Sequence, residues 1–521
     1  MLKRPAMSDT VLYSGERSTR RSDCEGRAHR AASGLRDYGI NRGDSIALLL
    51  RNDFAFFEAA RAATLLGASP VAVNWHLAPP EIDYVLQDSG AKVLIAHSDL
   101  LQTLGGVIPK NMLVLEVDTP PELRVAYRLP SMNGVKTVET VAWEHFIETH
   151  PPLTDPCWDF TDTMTYTSGT TGKPKGVIKL PQEPGLAKEF LAVRDRIYGI
   201  KPGIRALICG PLYHGAPNSF GMRTYAVAEK VFLMPRFDAR DFLAAVERER
   251  ITTAFMVPTM FARLLKLPPE IRDRYNVSSL QYVVTAAAHC PPEVKTAMQA
   301  WFGPVVHEFY AGTEQNYVTF CTPEESLRKP GTVGRALDGV TLRIMDGDRQ
   351  DVPAGTPGEI VSRLNTAPEF TYANNPTARA DLDVGGLIAT GDVGYLDEDG
   401  YLFLCDRSKD MVISGGVNIY PAEIEAELHV MPGVDDCAVF GVPDAEYGEA
   451  LMAVVQPEPS SDLTAEEIIA HLKSRLAGFK LPRRIEFQSL LPRDDTGKIF
   501  KRKLRDPYWE ATQDFREKAV S

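Results

Sequence analysis

The run Tyr166-TSGTTGKPKG-Val177 concentrates the residue types that hold a polyphosphate. Gly169, Gly172 and Gly176 alternate with the hydroxyls of Thr167, Ser168, Thr170 and Thr171 and with the ammonium groups of Lys173 and Lys175. Glycines let main-chain N–H groups approach an anion closely, hydroxyls donate, and lysines neutralise charge. The spacing is not that of a Walker A loop, because Thr167 stands at the first glycine position and Pro174 follows Lys173. It is not a dinucleotide fingerprint either, since the chain holds no G-x-G. Composition alone would also fit a hydroxyl-rich surface loop.

The surrounding elements read as an α/β scaffold. Ser45 to Arg51 and Lys92 to His97 are short apolar runs of strand length, as is Val71 to Val73. Phe54 to Leu66 and Pro80 to Gln87 have helical spacing between them. The alternation recurs at Ile204 to Cys209, Val231 to Met234, Ala239 to Arg250 and Thr253 to Met256, and predicts doubly wound, mostly parallel sheets. Residues 116–158 have weak periodicity and read as connecting structure. The last hundred residues change texture: a helix from Pro421 to Val430, strands at Cys437 to Val442 and Leu451 to Gln456, then the capping box Thr464-x-x-Glu467 opening a helix that closes near Gly478. A small α+β C-terminal domain follows from this, with its boundary between residues 406 and 407, so that 1–406 and 407–521 form the two units.

The 521 residues exceed one ordinary core, which agrees with at least two domains. A net charge of −12 argues against a broad nucleic-acid surface while leaving room for a local anion site. Seven scattered cysteines without a C-x-x-C pair read as reduced thiols, with neither a disulfide framework nor a zinc site. No apolar signal segment and no membrane span are apparent, so a cytoplasmic location is expected.

Beyond the first run, four more motifs follow in order. They are Tyr310-AGT-Glu314, Thr390-Gly-Asp392 with Tyr395, Arg407-SKDMVISGGVNIYPAEI-Glu425, and Pro492-RDDTG-Lys498. Together with the run at 166–177 they resemble the motif series of the adenylate-forming superfamily: acyl-CoA synthetases, luciferases and peptide-synthetase adenylation domains. That resemblance implies a large nucleotide- and acyl-binding domain with a mobile C-terminal lid. ATP, Mg²⁺ and coenzyme A would be the cofactors. Thr167 to Lys175 would wrap the phosphates, Tyr310 would stack on adenine, Thr313 would donate to phosphate and Glu314 would hold Mg²⁺. Asp392 would accept the ribose hydroxyls with Arg407 beside it, and Lys498 would bridge carboxylate and α-phosphate. The lid would turn about Lys409, withdrawing Lys498 and bringing Gly415 and Gly416 to the pantetheine passage.

Pro211-LY-His214-GA-Pro217 resembles the pocket-lining motif of ligases of fatty, bile-acid or polycyclic acids, with His214 as a gate. Tyr213, Phe220, Val257, Ala286, Ala287, Ala311 and Gly312 are the expected walls. No buried cation or acid is apparent in the sequence to read a second polar group, so a bulky apolar carboxylic acid is the expected substrate. Two positions depart from the family pattern: Ala311 stands where glycine is usual, and Ala288-His289 where Ala-Pro is usual. They keep open a half-enzyme that uses a pre-formed acyl-adenylate. The motif series is also compatible with a carrier-protein loader, a luciferase-like oxygenase or a non-catalytic binding protein. Expected partners are the small acid, ATP and CoA, without nucleic acid or membrane; homodimerisation is left open.

Overall fold

The computed structural model describes residues 9–104, 106–130, 139–157, 162–167, 174–288, 290–407, 410–414, 417–444, 447–459, 461–493 and 499–520. Among them three sheets organise the chain, of fourteen, eight and five strands. A large N-terminal α/β part holds the first two and a smaller C-terminal part the third.

The parallel half of the fourteen-stranded sheet explains where a ligand must sit. Arg205–Ile208 pairs on one side with Lys230–Leu233 and on the other with Thr253–Met256, which continues to Tyr282–Thr285 and Val306–Gly312. The chain therefore leaves one strand in both directions, and the crevice beyond the carboxyl ends at such a reversal is the usual binding place in an open α/β sheet. Past Val306–Gly312 every further pairing is antiparallel, through Asn316–Cys321, Thr332–Ala336, Tyr401–Arg407 and Leu387–Leu396. The sheets are thus mixed. The expectation of mostly parallel pairing describes their βαβ portions, and hairpins build the rest.

In the eight-stranded sheet, Ser45–Leu49, Ser69–Ala72 and Ala91–His97 pair in parallel, with every residue of Ser45–Leu49 buried. Two-sided burial is why these runs are continuously apolar. Helices Phe54–Leu65 and Pro79–Asp88 lie within two residues of their expected ends. The segment read as connecting structure holds more than that: its first residues end strand Leu113–Val117, and it carries helices Pro121–Ala126 and Trp143–Glu148. Each is too short for sequence periodicity to register, and Trp143, 1% exposed, anchors the last into the core.

One link between the two N-terminal sheets is the side-chain amide of Asn52. Asn52 Nδ2 donates to the carbonyls of Gly210 (3.0 Å) and Met234 (3.1 Å), and its Oδ1 accepts the Leu212 N–H at 2.9 Å. Next to it the buried Asp53 carboxylate faces Arg17 and His97 Nε2 (3.4 Å).

In the C-terminal part, alternation along Val434–Asp444 splits the apolar side chains between two layers. Cys437 and Val439 pack with Ile424, Leu428, Ile468 and Leu472, while Ala438, Phe440 and Val442 pack with Leu491 and Leu504. The Thr464 box forms as expected, with the Thr464 N–H donating to Glu467 Oε2 (2.9 Å) and the Glu467 N–H to Thr464 Oγ1 (3.3 Å). Its helix ends at Lys473, and a 3₁₀ turn follows at Gly478–Lys480. Tyr401–Arg407 is a strand of the large sheet and Val412–Ser414 a strand of the small one. Among the described residues no helix is long and apolar enough to cross a membrane.

Candidate active site

The strands on either side of the glycine-rich run pair as a hairpin. Met164–Thr167 pairs antiparallel with Lys175–Lys179, so Thr167 and Lys175 face each other at its mouth. Ser168, Gly169, Thr170, Thr171, Gly172 and Lys173 lie outside the described residues. The base of the hairpin is fixed by Tyr166, whose hydroxyl donates to Asp88 Oδ2 at 2.8 Å. Burial, then the Asp88 carboxylate, raises the Tyr166 phenol, so it stays a donor. Gly176 must lack a side chain, because a Cβ there would stand 2.8 Å from Tyr166 Cζ.

Tyr310 lies on the strand Val306–Gly312 and is 7% exposed. Its hydroxyl donates to Asp392 Oδ2 at 2.6 Å, with Gln315 Oε1 a weaker second acceptor at 3.3 Å. Gln315 Nε2 in turn donates to the Ile388 carbonyl (3.0 Å), on the strand that carries Asp392. The Tyr310 and Asp392 motifs, about eighty residues apart, are thereby one hydrogen-bonded unit. Arg407 lies opposite Asp392 in register, and Tyr395 stacks on Phe403 with centroids 5.0 Å apart. The Tyr310–Ala311 step is a bulge, and the turn that follows carries Thr313 and Glu314 and closes at Asn316 with φ +62°. A Cβ on Gly312 would come within 3.1 Å of Gln315 Oε1.

Glu314 is held by a residue that the sequence alone did not single out. Tyr372 Oη donates to Glu314 Oε1 at 3.0 Å, and burial together with the Glu314 charge raises the phenol. Lys175 Nζ lies 5.3 Å from the centre of the Tyr372 ring, which brings the hairpin mouth and Glu314 onto one aromatic side chain. Lys179 Nζ donates to the Thr313 carbonyl. Burial pulls this ammonium down to about 8, against the opposing pull of Glu314 and Asp162. Arg194, 7% exposed, pairs with Asp162 at 3.0 Å. Burial lowers its pKa, but Asp162, Tyr317 and Tyr198 together outweigh burial and hold it above the ordinary value. Lys179, half-buried, is thus committed to the Thr313 carbonyl, and the buried Arg194 to Asp162. A lysine in a short strand and an arginine in a helix give no sequence signal of burial; only the fold reveals it.

The expected acyl walls sit at the carboxyl ends of the parallel strands. His214 is the N-cap of helix Gly215–Val227 and its ring lies 4.3 Å from that of Tyr213, which meets Trp75 edge-on at 4.4 Å. Gly215 approaches Thr165, at the hairpin. Phe220, Val257 and Ala286 are buried, Ala311 and Gly312 partly so. Ala287 is exposed and adopts φ +75°, a left-handed conformation that costs an alanine energy and marks a shaped loop. Tyr198, which no sequence motif marks, gathers Phe220, Phe255, Phe309 and Tyr317 around its ring at 5.4–6.1 Å. His289, Lys409, Gly415, Gly416 and Lys498 lie outside the described residues.

The reversal point of the large sheet, the hairpin mouth at Thr167 and Lys175, and the Tyr310–Asp392 couple together frame the candidate site, with a separate small C-terminal sheet beyond them. Residues 3–366 match the AMP-binding enzyme family and residues 423–498 match the AMP-binding enzyme C-terminal domain. A feruloyl-CoA synthase of an Amycolatopsis species is 33% identical over 509 residues, 95% of each chain. The long-chain-fatty-acid–CoA ligase FadD13 of Mycobacterium tuberculosis is 31% identical over 483 residues, covering 92% of this chain and 91% of that one. Among solved structures, the o-succinylbenzoate CoA synthetase MenE of Bacillus subtilis, in complex with its acyl-adenylate intermediate, superposes with TM-score 0.77 at 28% identity over 95% of both chains. The chain belongs to the AMP-binding enzyme family, within the adenylate-forming superfamily, and stands there among the AMP-forming acyl-CoA ligases.

Proposed function

We propose that this chain activates a bulky, largely apolar carboxylic acid with ATP and passes it to coenzyme A. The carrying observation is the convergence on Tyr372: the phosphate hairpin through Lys175 and the metal-type carboxylate of Glu314 meet on one side chain, beside the Tyr310–Asp392 couple. In the first half-reaction a carboxylate oxygen attacks the α-phosphorus and the bond to pyrophosphate breaks. Tyr310 covers the base, Asp392 accepts from the ribose, and Thr167, Thr313 and Lys175 hold the phosphates. Lys498 offsets the repulsion between carboxylate and phosphate. In the second half the CoA sulfur attacks the acyl carbon and AMP leaves, its phosphate taking back the electron pair.

Glu314 fits a magnesium site. One oxygen accepts from Tyr372, and the other has no hydrogen-bond donor among the described residues. Among those residues no three His, Cys, Asp or Glu side chains gather into a cage. Mg²⁺ would therefore rest on Glu314 and phosphate oxygens, as this ion usually does beside nucleotides, and would supply charge neutralisation. Small residues Ala286, Ala311 and Gly312 together with the aromatic group around Tyr198 support an apolar acid, and His214, at the start of helix Gly215–Val227, would act as its gate. The lid is assigned to 407–521, turning at Lys409 and lining the thiol passage with Gly415 and Gly416. Seven scattered cysteines with no C-x-x-C pair support a cytoplasmic location.

The test is AMP and pyrophosphate release over a carboxylic-acid panel, with and without CoA. Lys498→Ala should abolish pyrophosphate exchange and spare thioester formation from supplied acyl-adenylate. Equal loss in both assays overturns the assignment of Lys498, and absence of AMP release on every acid overturns the function.

A further inference from the structure

The turn that carries Thr313 and Glu314 is gripped from one direction by two paired strands. Phe370–Tyr372 runs antiparallel to Lys175–Lys179, with Phe370 opposite Lys179 and Tyr372 opposite Val177. From this ribbon Tyr372 reaches the Glu314 carboxylate at 3.0 Å and Lys179 reaches the Thr313 carbonyl. Both contacts cross from the eight-stranded sheet to the fourteen-stranded one. Lys179 lies with its ammonium 5.4 Å from the centre of the Phe370 ring and within the fields of Glu314 and Asp162. Lys179 is half-buried, and drawing an ammonium even partly out of water is costly unless it is paired and hydrogen-bonded. An apolar side chain would fill the same space with less penalty, so packing alone does not account for a lysine here.

Building on the function proposed above, we propose that Lys179 is a positioning residue for the adenylation half-reaction: by holding the Thr313 carbonyl it sets the turn that presents the Thr313 hydroxyl and the Glu314 carboxylate to nucleotide. It touches no reacting atom. The geometry gives it no part in thiol attack, which uses the adenylate after pyrophosphate has gone. Tyr372 fixes the side chain of the turn and Lys179 fixes its backbone, so the two contacts divide one task.

The experiment uses the full chain with Lys179→Met and Lys179→Arg, and three readouts. These are pyrophosphate exchange against ATP concentration, thioester formation from supplied acyl-adenylate, and calorimetric binding of MgATP without acid. Losing a hydrogen bond from a charged donor corresponds to about tenfold or more. Lys179→Met should lower exchange by roughly that factor and weaken MgATP binding in step, keep the thioester rate within about twofold, and melt no earlier than the parent. Lys179→Arg, which keeps charge and donors, should lie between. Exchange at the parental level, or an equal fall in both half-reactions, overturns the proposal. Should Lys179→Met not fold, Lys179→Gln carries the same expectation, and failure of both to fold would make Lys179 a folding determinant and end the idea. A parent that forms no adenylate with any acid defeats the proposed function itself. An active parent with unaffected variants defeats only this assignment.

Discussion

Tyr310→Phe separates the two jobs proposed for the Tyr310 ring, covering the base, and for its hydroxyl, holding Asp392. The substitution keeps the aromatic face and removes one donor, the 2.6 Å bond to Asp392 Oδ2. A hydrogen bond to a charged acceptor is worth about 1.5–3 kcal/mol. Here the lower end applies, because Asp392 is partly exposed and water can replace the hydroxyl, and because Gln315 Oε1 already shares the proton at 3.3 Å. About 1.5 kcal/mol is close to a factor of ten. The expected result is an ATP KM raised about tenfold in pyrophosphate exchange, with kcat within about threefold, since the hydroxyl orients the ribose acceptor and meets no reacting group. Tyr310→Leu removes the ring as well, and stacking on a base adds about 1–3 kcal/mol, so its KM should rise by a further tenfold or more. A double-mutant cycle with Asp392→Asn should show Tyr310→Phe losing most of its effect once Asp392 is changed. A parental KM for Tyr310→Phe together with full additivity in the cycle would refute the reasoning, because the couple would then be structural and remote from nucleotide.

Gly176→Ala forces a Cβ to 2.8 Å from Tyr166 Cζ; overpacking of this kind costs about 1–3 kcal/mol, and Tyr166→Ala in the same chain should recover part of the lost melting temperature. A Gly176→Ala protein that melts with the parent would show that the hairpin yields freely. Asp53 is held down to about 2 from an ordinary 3.8: burial alone would raise it, and His97 and Arg17 outweigh burial. A lowered carboxyl contributes stability above the unfolded pKa and loses it as pH falls through the folded value, here about 2 kcal/mol vanishing between about pH 5 and pH 2. Asp53→Asn should therefore be less stable than the parent at pH 7 and should flatten the acid limb of a melting-temperature profile; parallel profiles would contradict the network. Gly416→Phe should slow thioester formation more than pyrophosphate exchange, and the reverse order would remove Gly416 from the thiol passage.

Much of this architecture is written locally. The phosphate hairpin, the Thr464 capping box and the buried strands at 45–49 and 91–97 each declare themselves within a dozen residues, because turn chemistry, caps and two-sided burial act over short spans. What escaped is non-local. Tyr372 and Lys179 matter because their strands pair across almost two hundred residues, and Gln315 because its amide reaches a strand seventy residues on. No periodicity encodes such a meeting. The short helices of 121–126 and 143–148 escaped for another reason: six residues give less than two turns, too few for a repeat to show. Arg194 carries no local sign of its burial, because its partner Asp162 lies 32 residues away along the chain.

Asn52 commits all of its side-chain hydrogen bonding to two strand ends and the start of the His214 segment. Anything that loosens this rivet, heat or a nick in the chain, also slackens the segment that carries Tyr213 and His214. Catalysis should accordingly fade before the molecule melts, and an assay of turnover during heating would report the parting of the two halves earlier than any spectroscopic signal of unfolding.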